Sequence, residues 1–350
     1  MSDQQNPSAG APRIRRGAGL QLSTHAPAEP EGETAAPAGE PRRGVGLRLS
    51  THAPAGEPKL EGLAPLRRIR LAHGELAYRQ AGEGPPLLLL HGWSASSRYW
   101  YATQALLADM RLCVAPDLPG FGASPPLAEP GRIERLAELV IELADALELG
   151  TFDLGGHSFG GSVALVLAAR WPERVRRLVI TSFGVRRSPL ERALLGATHA
   201  PASLALQFGL PWLSLWRPAL RNLRPLTAQL LATPPLPSLL AGWYLGRVPD
   251  DPQLLREGVA DLVEMDLGAH LACVASIGDP ALLAALPAIV APTLFVGGDC
   301  DRVVPADDLR AAADLARGEA LLLPGCGHVP MIEQPAAYHA ALRSFLVPVA

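Results

Sequence analysis

The stretch Gly156-His157-Ser158-Phe159-Gly160 sets a serine between two glycines, with a short apolar run before it and an Ala/Leu/Val-rich helical pattern after it. A serine in that setting sits on a sharp strand-to-helix turn, because a Cβ at either glycine would collide with neighbouring backbone. The hydroxyl is then pushed outward from the sheet edge. A free serine hydroxyl is a poor nucleophile near neutral pH, so the turn is useful only if a base and an oxyanion site come from elsewhere in the chain.

The candidate base is His328, in Pro324-Gly325-Cys326-Gly327-His328-Val329-Pro330, a loop whose glycines let the ring swing over the serine. His73, His91, His157, His199, His270 and His339 lie before the serine motif, inside it, in a later helical stretch or on the last helix. A carboxylate that holds the histidine tautomer should fall between Ser158 and His328, since the chain order in such sheets is serine, acid, histidine. Asp299 and Asp301 compete in Gly297-Gly298-Asp299-Cys300-Asp301-Arg302-Val303-Val304-Pro305. Asp301 stands nearer the next helix and has the longer reach, so it is assigned to the histidine and Asp299 to the turn. The loop after Val175–Thr181 offers Ser182-Phe183-Gly184 and no carboxylate. Two backbone amides are expected to face the oxyanion: that of Phe159, and that of Trp93 after His91-Gly92. His91 is expected to shape that loop, and Asp117 to cap a turn.

These side chains need a sheet that brings several loops to one edge. Arg68-Ile69-Arg70-Leu71 and Glu75-Leu76-Ala77-Tyr78-Arg79 read as a hairpin around His73-Gly74, and Pro86-Leu87-Leu88-Leu89-Leu90 as a strand buried on both faces. A helix over Tyr99 to Met110, a strand over Arg111 to Ala115, a helix over Ile133 to Leu149, the strand before Ser158, a helix over Gly160 to Arg170 and a strand over Val175 to Thr181 follow. This alternation predicts an α/β fold with a doubly wound, mostly parallel sheet. It stops at residue 184. Residues 185–277 have helical apolar spacing broken by prolines and read as an inserted helical cap. The sheet resumes with Thr293-Leu294-Phe295-Val296, a helix over Ala306 to Arg317, a strand over Ala320 to Leu323 and a last helix from Ala336 to Leu346. The core domain is thus 61–184 plus 278–350.

Residues 1–60 are rich in Pro, Gly, Ala and Glu and read as a disordered tail. Arg15 to Pro27 returns as Arg42 to Pro54 with two positions changed. Two copies of an apolar-basic phrase suit bivalent docking to a protein partner, and equally a tandem duplication in a tolerant segment.

The motifs His91-Gly92-Trp93, Asp117-Leu118-Pro119-Gly120-Phe121-Gly122, Gly156 to Gly161, Gly298 with Asp301 and Pro305, and Gly327-His328 together resemble the capped serine-hydrolase, esterase- and lipase-like branch of the α/β-hydrolase superfamily. The resemblance runs from about residue 66 to the C-terminus apart from the cap. It implies hydrolysis through a covalent acyl-enzyme, with neither metal nor organic cofactor. A serine at position 158 argues against the epoxide hydrolases and haloalkane dehalogenases of that fold, which carry aspartate there.

A net charge of −3, with 48% hydrophobic and 19% charged residues, gives no global case for binding nucleic acid. Cys113, Cys273, Cys300 and Cys326 lack metal or disulfide spacing, and no run resembles a signal peptide or a membrane span, so the expected compartment is the cytoplasm. In the cap, Trp212 and Trp216 lie one helical turn apart beside Arg217, Arg221 and Arg224. They suit packing between cap and sheet, the wall of a substrate pocket, or weak contact with a lipid surface. The expected substrate is a small apolar carboxylic ester. Cleavage of a C–C bond beside a ketone, in the manner of the meta-cleavage-product hydrolases, and a non-catalytic ligand-binding scaffold with a docking tail are the alternatives.

Overall fold

The computed structural model describes residues 63–72, 74–127, 132–185, 217–231, 233–247, 251–276 and 279–347. The duplicated phrase of the first 60 residues lies outside them. Eight strands form one sheet: β1 (Leu66–Leu71), β2 (Gly74–Ala81), β3 (Pro86–Leu90), β4 (Leu112–Pro116), β5 (Phe152–His157), β6 (Val175–Thr181), β7 (Thr293–Gly298) and β8 (Glu319–Leu323). Their spatial order is β1-β2-β4-β3-β5-β6-β7-β8. Only the pairings of β2 with β1 and β4 are antiparallel. From β3 the chain moves to β4 on one side and returns to β5 on the other. Loops leaving β3 and β5 therefore part company at their carboxyl ends, and a crevice opens there.

Alternation along the strands sends side chains to two separate apolar layers. Leu88, Leu90, Val114, Leu178, Ile180 and Phe295 join the layer under α2 (Ile133–Ala146), α3 (Phe159–Arg170) and α9 (Ala306–Leu315). Leu87, Leu89, Cys113, Ala115, Val179, Leu294 and Val296 join the other, which holds Trp100, Leu107 at the end of α1 (Tyr101–Leu107), and Tyr338 and Leu342 of α11 (Pro335–Leu346). Burial on both faces is why β3 and β7 read as unbroken apolar runs. The doubly wound sheet expected from the sequence is the sheet observed.

Between β6 and β7 the described chain is helical: α4 (Arg217–Leu231), α5 (Leu236–Tyr244), α6 (Pro252–Glu264), α7 (Leu267–Ser276) and α8 (Pro280–Ala285). A short α10 (Pro330–Glu333) precedes α11 and was not expected from the sequence. Several helix boundaries also differ, and two have a clear local cause. The turn Ser97–Trp100 is 3-10, its first amides held by Ser96, before α1 begins. α2 ends at Ala146 because Glu148 takes a positive φ of 53° and the Leu149 amide folds back onto the Ala144 carbonyl, 2.9 Å away. Among the described residues no helix is long and apolar enough to cross a membrane.

Candidate active site

Ser158 stands between β5 and α3 with φ 50° and ψ −113°, a conformation that costs energy for any residue with a side chain. The glycines on either side make it achievable. A Cβ on Gly156 would lie 2.5 Å from the Gly160 carbonyl oxygen, and one on Gly160 would lie 2.4 Å from the carbonyl oxygens of Leu90 and His91. The helix can thus start hard against the end of β3, and the Ser158 amide donates to the Thr181 carbonyl at 2.9 Å.

The Ser158 hydroxyl meets His328 Nε2 at 3.1 Å, and His328 Nδ1 meets Asp301 Oδ2 at 2.8 Å. The other oxygen of Asp301 accepts the amides of Val303 and Val304 at 2.8 and 2.9 Å, which fixes the carboxylate plane. An ionised Asp301 can only accept, so Nδ1 carries the ring proton and Nε2 is left to take one from the serine. Asp299 faces elsewhere, accepting the Gly325 amide at 2.7 Å. The end of β7 and the histidine loop can approach this closely because residue 298 is glycine, where a Cβ would fall 2.0 Å from the Cys326 carbonyl oxygen.

Phe159 is the first residue of α3, so its amide has no acceptor within the helix and is free to face an anion. Trp93 lies in the loop leaving β3 and lines the same cavity as Ser158 and Phe159. His91 is fully buried, and burial pushes its pKa down. Its Nε2 accepts the Leu118 amide at 2.9 Å and its Nδ1 lies 2.8 Å from the Gly92 carbonyl, so the ring ties the loop after β3 to the loop after β4. Asp117 caps that second loop, accepting the amides of Ser97 at 2.6 Å and Ala123 at 2.8 Å. Trp212 and Trp216 lie outside the described residues.

The cavity holds about 820 Å³ and is mostly apolar, with Phe183 from the sheet side and Tyr244, Leu254, Leu255 and Cys273 from the helices after β6. Its polar wall is a cluster the sequence did not announce. Arg98 binds Glu257 and Asp261 of α6, and Ser96 donates to Asp261 at 2.9 Å. Burial raises Asp261 to about 6 against the pull of Arg98. The Trp93 indole donates to His270 Nδ1 of α7 at 3.0 Å. Inside the serine motif, His157 is buried and pushed down to about 3, first by desolvation and then by the neighbouring His328, so the ring stays neutral. Its Nε2 lies 2.9 Å from the His328 carbonyl and donates to it. No spacing in the sequence marks these partners, since each pairing joins segments far apart in the chain.

Comparison with known proteins gives matches across the same elements. A model of the alpha/beta hydrolase family matches residues 87–341. The pimeloyl-(acyl-carrier protein) methyl ester esterase of Nitrosomonas europaea is 31% identical over 267 residues, 73% of this chain and 92% of that protein. The 2-hydroxymuconate semialdehyde hydrolase of Pseudomonas sp. strain CF600 is 29% identical over 284 residues, 76% of this chain and 88% of that protein. Among solved structures, a membrane phospholipase A described as a bacterial virulence factor superposes with a TM-score of 0.63 at 27% identity, covering 83% of this chain and 87% of that one. A family match that begins in the middle of the sheet at β3 and ends in the last helix places this chain in the alpha/beta hydrolase family.

Proposed function

We propose that this hydrolase cleaves a carboxylic ester with an apolar acyl or alcohol part, using Ser158, His328 and Asp301 as a catalytic triad. The observation that carries the reading is the unbroken hydrogen-bond line from Asp301 through His328 to Ser158, ending in a mostly apolar cavity of about 820 Å³. In the first half-reaction the Ser158 oxygen bonds to the ester carbonyl carbon while its proton passes to His328 Nε2. The oxyanion rests against the amides of Phe159 and Trp93. Collapse breaks the ester C–O bond, the leaving alkoxide takes the proton from His328, and an acyl-enzyme remains. Water, deprotonated by His328, then releases the acid and returns the proton to Ser158. The described helices α4 to α7 act as part of a cap whose inner face selects the substrate by apolar burial. The esterase relative supports the ester reading.

Similarity to the 2-hydroxymuconate semialdehyde hydrolase favours a second reading, hydrolysis of a C–C bond beside a ketone. That chemistry needs polar groups turned toward the substrate. Arg98, the arginine lining the cavity among the described residues, is already held by Glu257 and Asp261. Its commitment to two carboxylates favours the ester.

A fluorophosphonate probe should label the wild type and not Ser158→Ala, and that variant should lose at least about 10⁴-fold in ester turnover. An unlabelled wild type would leave only a ligand-binding scaffold. Rates on p-nitrophenyl esters of increasing acyl length, set against a vinylogous diketone, then separate the two hydrolytic readings.

A further inference from the structure

Glu333 plays no part in the reaction described above, yet its carboxylate gathers four backbone N–H groups. One oxygen accepts Gly327 at 2.8 Å, Gly246 at 2.8 Å and Arg247 at 3.1 Å; the other accepts Val329 at 2.9 Å. Two of these donors flank His328. The other two follow α5, which lines the cavity with Ala241 and Tyr244.

The remaining backbone bonds of the histidine complete the enclosure. The His328 amide donates to the Tyr244 carbonyl at 3.1 Å, and the His328 carbonyl accepts from His157 at 2.9 Å. Contact between the two backbones requires glycine on both sides. A Cβ on Gly246 would lie 2.8 Å from the Gly327 nitrogen, and one on Gly327 would lie 2.1 Å from the Gly246 nitrogen. Hydrogen bonds from amides to an ionised carboxylate are about twice as strong as those between neutral groups. A carboxylate shared between two segments therefore fixes each against the other.

We propose that Glu333 is a positioning residue for His328, and that it couples the end of α5 to the histidine so that the cavity wall and the general base hold one another in register. This rests on the reading of His328 as the base. Glu333 touches none of the reacting atoms. Its effect reaches the chemistry through the loop, where a shift of the ring by about 1 Å can cost on the order of 100-fold in rate. In Glu333→Gln an amide NH₂ replaces one oxygen and meets N–H donors instead of accepting from them.

The test uses the full chain with p-nitrophenyl butyrate as substrate and a fluorophosphonate as active-site titrant. For Glu333→Gln we expect kcat to fall about 10- to 100-fold with KM changed much less, and the rate constant for fluorophosphonate labelling to fall in parallel while labelling still runs to completion. Loss of folded protein alone would lower the labelled endpoint and leave the rate constant of the competent fraction untouched. Glu333→Asp should recover part of the loss. If Glu333→Gln does not fold, Gly246→Ala opens the joint from the α5 side with Glu333 intact, and the same slowing is expected. Wild-type kcat and labelling rate in whichever variant folds overturn the proposal. A wild type that does not label at all overturns the serine-hydrolase reading itself, and the two failures are told apart by that control.

Discussion

A carboxylate beside an imidazole decides which ring nitrogen carries the proton, and Asp301 is set to do so because its other oxygen is already occupied by the Val303 and Val304 amides. In Asp301→Asn the amide oxygen keeps those two donors, so the NH₂ is presented to His328 Nδ1. The ring then has to accept there and carry its proton on Nε2, facing a serine that also carries one. A loss of roughly 10³- to 10⁴-fold in kcat is expected, with KM little changed. Asp299→Asn keeps its bond to the Gly325 amide through the amide oxygen and should leave the rate close to wild type. Equal losses in the two variants, measured on one p-nitrophenyl ester, would mean that the loop as a whole and not the tautomer is at stake. That Asp301 and not Asp299 reaches His328 was legible in the chain because reach along a loop is a local property. The hydrogen bonds of His157 and Glu333 were not. Each bonds to backbone groups far from it in the chain, His157 to that of His328 and Glu333 to those of Gly246 and Arg247, and backbone groups carry no signature in a sequence.

At the scale of elements, α6 is fastened to the loop leaving β3 by Arg98, Glu257, Asp261 and Ser96, so one wall of the cavity is pinned to the segment that carries Trp93. Two effects oppose each other at Asp261: the guanidinium favours its charged form and burial disfavours it, and burial prevails, giving a pKa of about 6. A folded-state value above the unfolded one means the group favours the folded state least where it must be ionised. Its contribution is intact below about pH 4, declines as pH rises toward 6, and stays reduced above that, by on the order of 3 kcal/mol for a shift of about two units. Asp261→Asn removes this dependence. The Tm of the variant relative to wild type should climb between pH 4 and 6.5 and then level off; a decline over that range would show that the ion pair outweighs the burial. Nothing periodic in the sequence pointed to this fastening, because Arg98 and Asp261 are far apart in the chain and meet only when α6 packs against the loop leaving β3. Strands were easier to read. Those buried on both faces are short apolar runs wherever they occur, whereas the ends of α1 and α2 were set by a serine cap and a left-handed turn that do not interrupt the apolar spacing.

For the whole molecule, the question is where the folded unit begins. The family match starts at residue 87, yet β1 and β2 precede it and are built into the same sheet. β1 pairs with β2 from Leu66 opposite Arg79 to Leu71 opposite Gly74, and β2 pairs with β4 from Tyr78 opposite Pro116 to Ala81 opposite Cys113. Leu71, Leu76 and Tyr78 are buried in the layer that also holds Phe121 and α2. The hairpin is thus part of the core, while every group proposed for the reaction lies between Trp93 and His328. Removing residues 1–60 should leave kcat/KM for p-nitrophenyl butyrate and the Tm near those of the full chain. Removing residues 1–73 deletes β1, strips the outer ladder from β2 and exposes apolar side chains, which should lower the Tm by several degrees even though no group of the triad has been touched. Thermal melts of the two truncations, with fluorophosphonate labelling to count competent sites, place the boundary. A large fall in turnover already at the first truncation would mean that the duplicated phrase, or the chain around it, acts on the hydrolase itself and not on a separate partner.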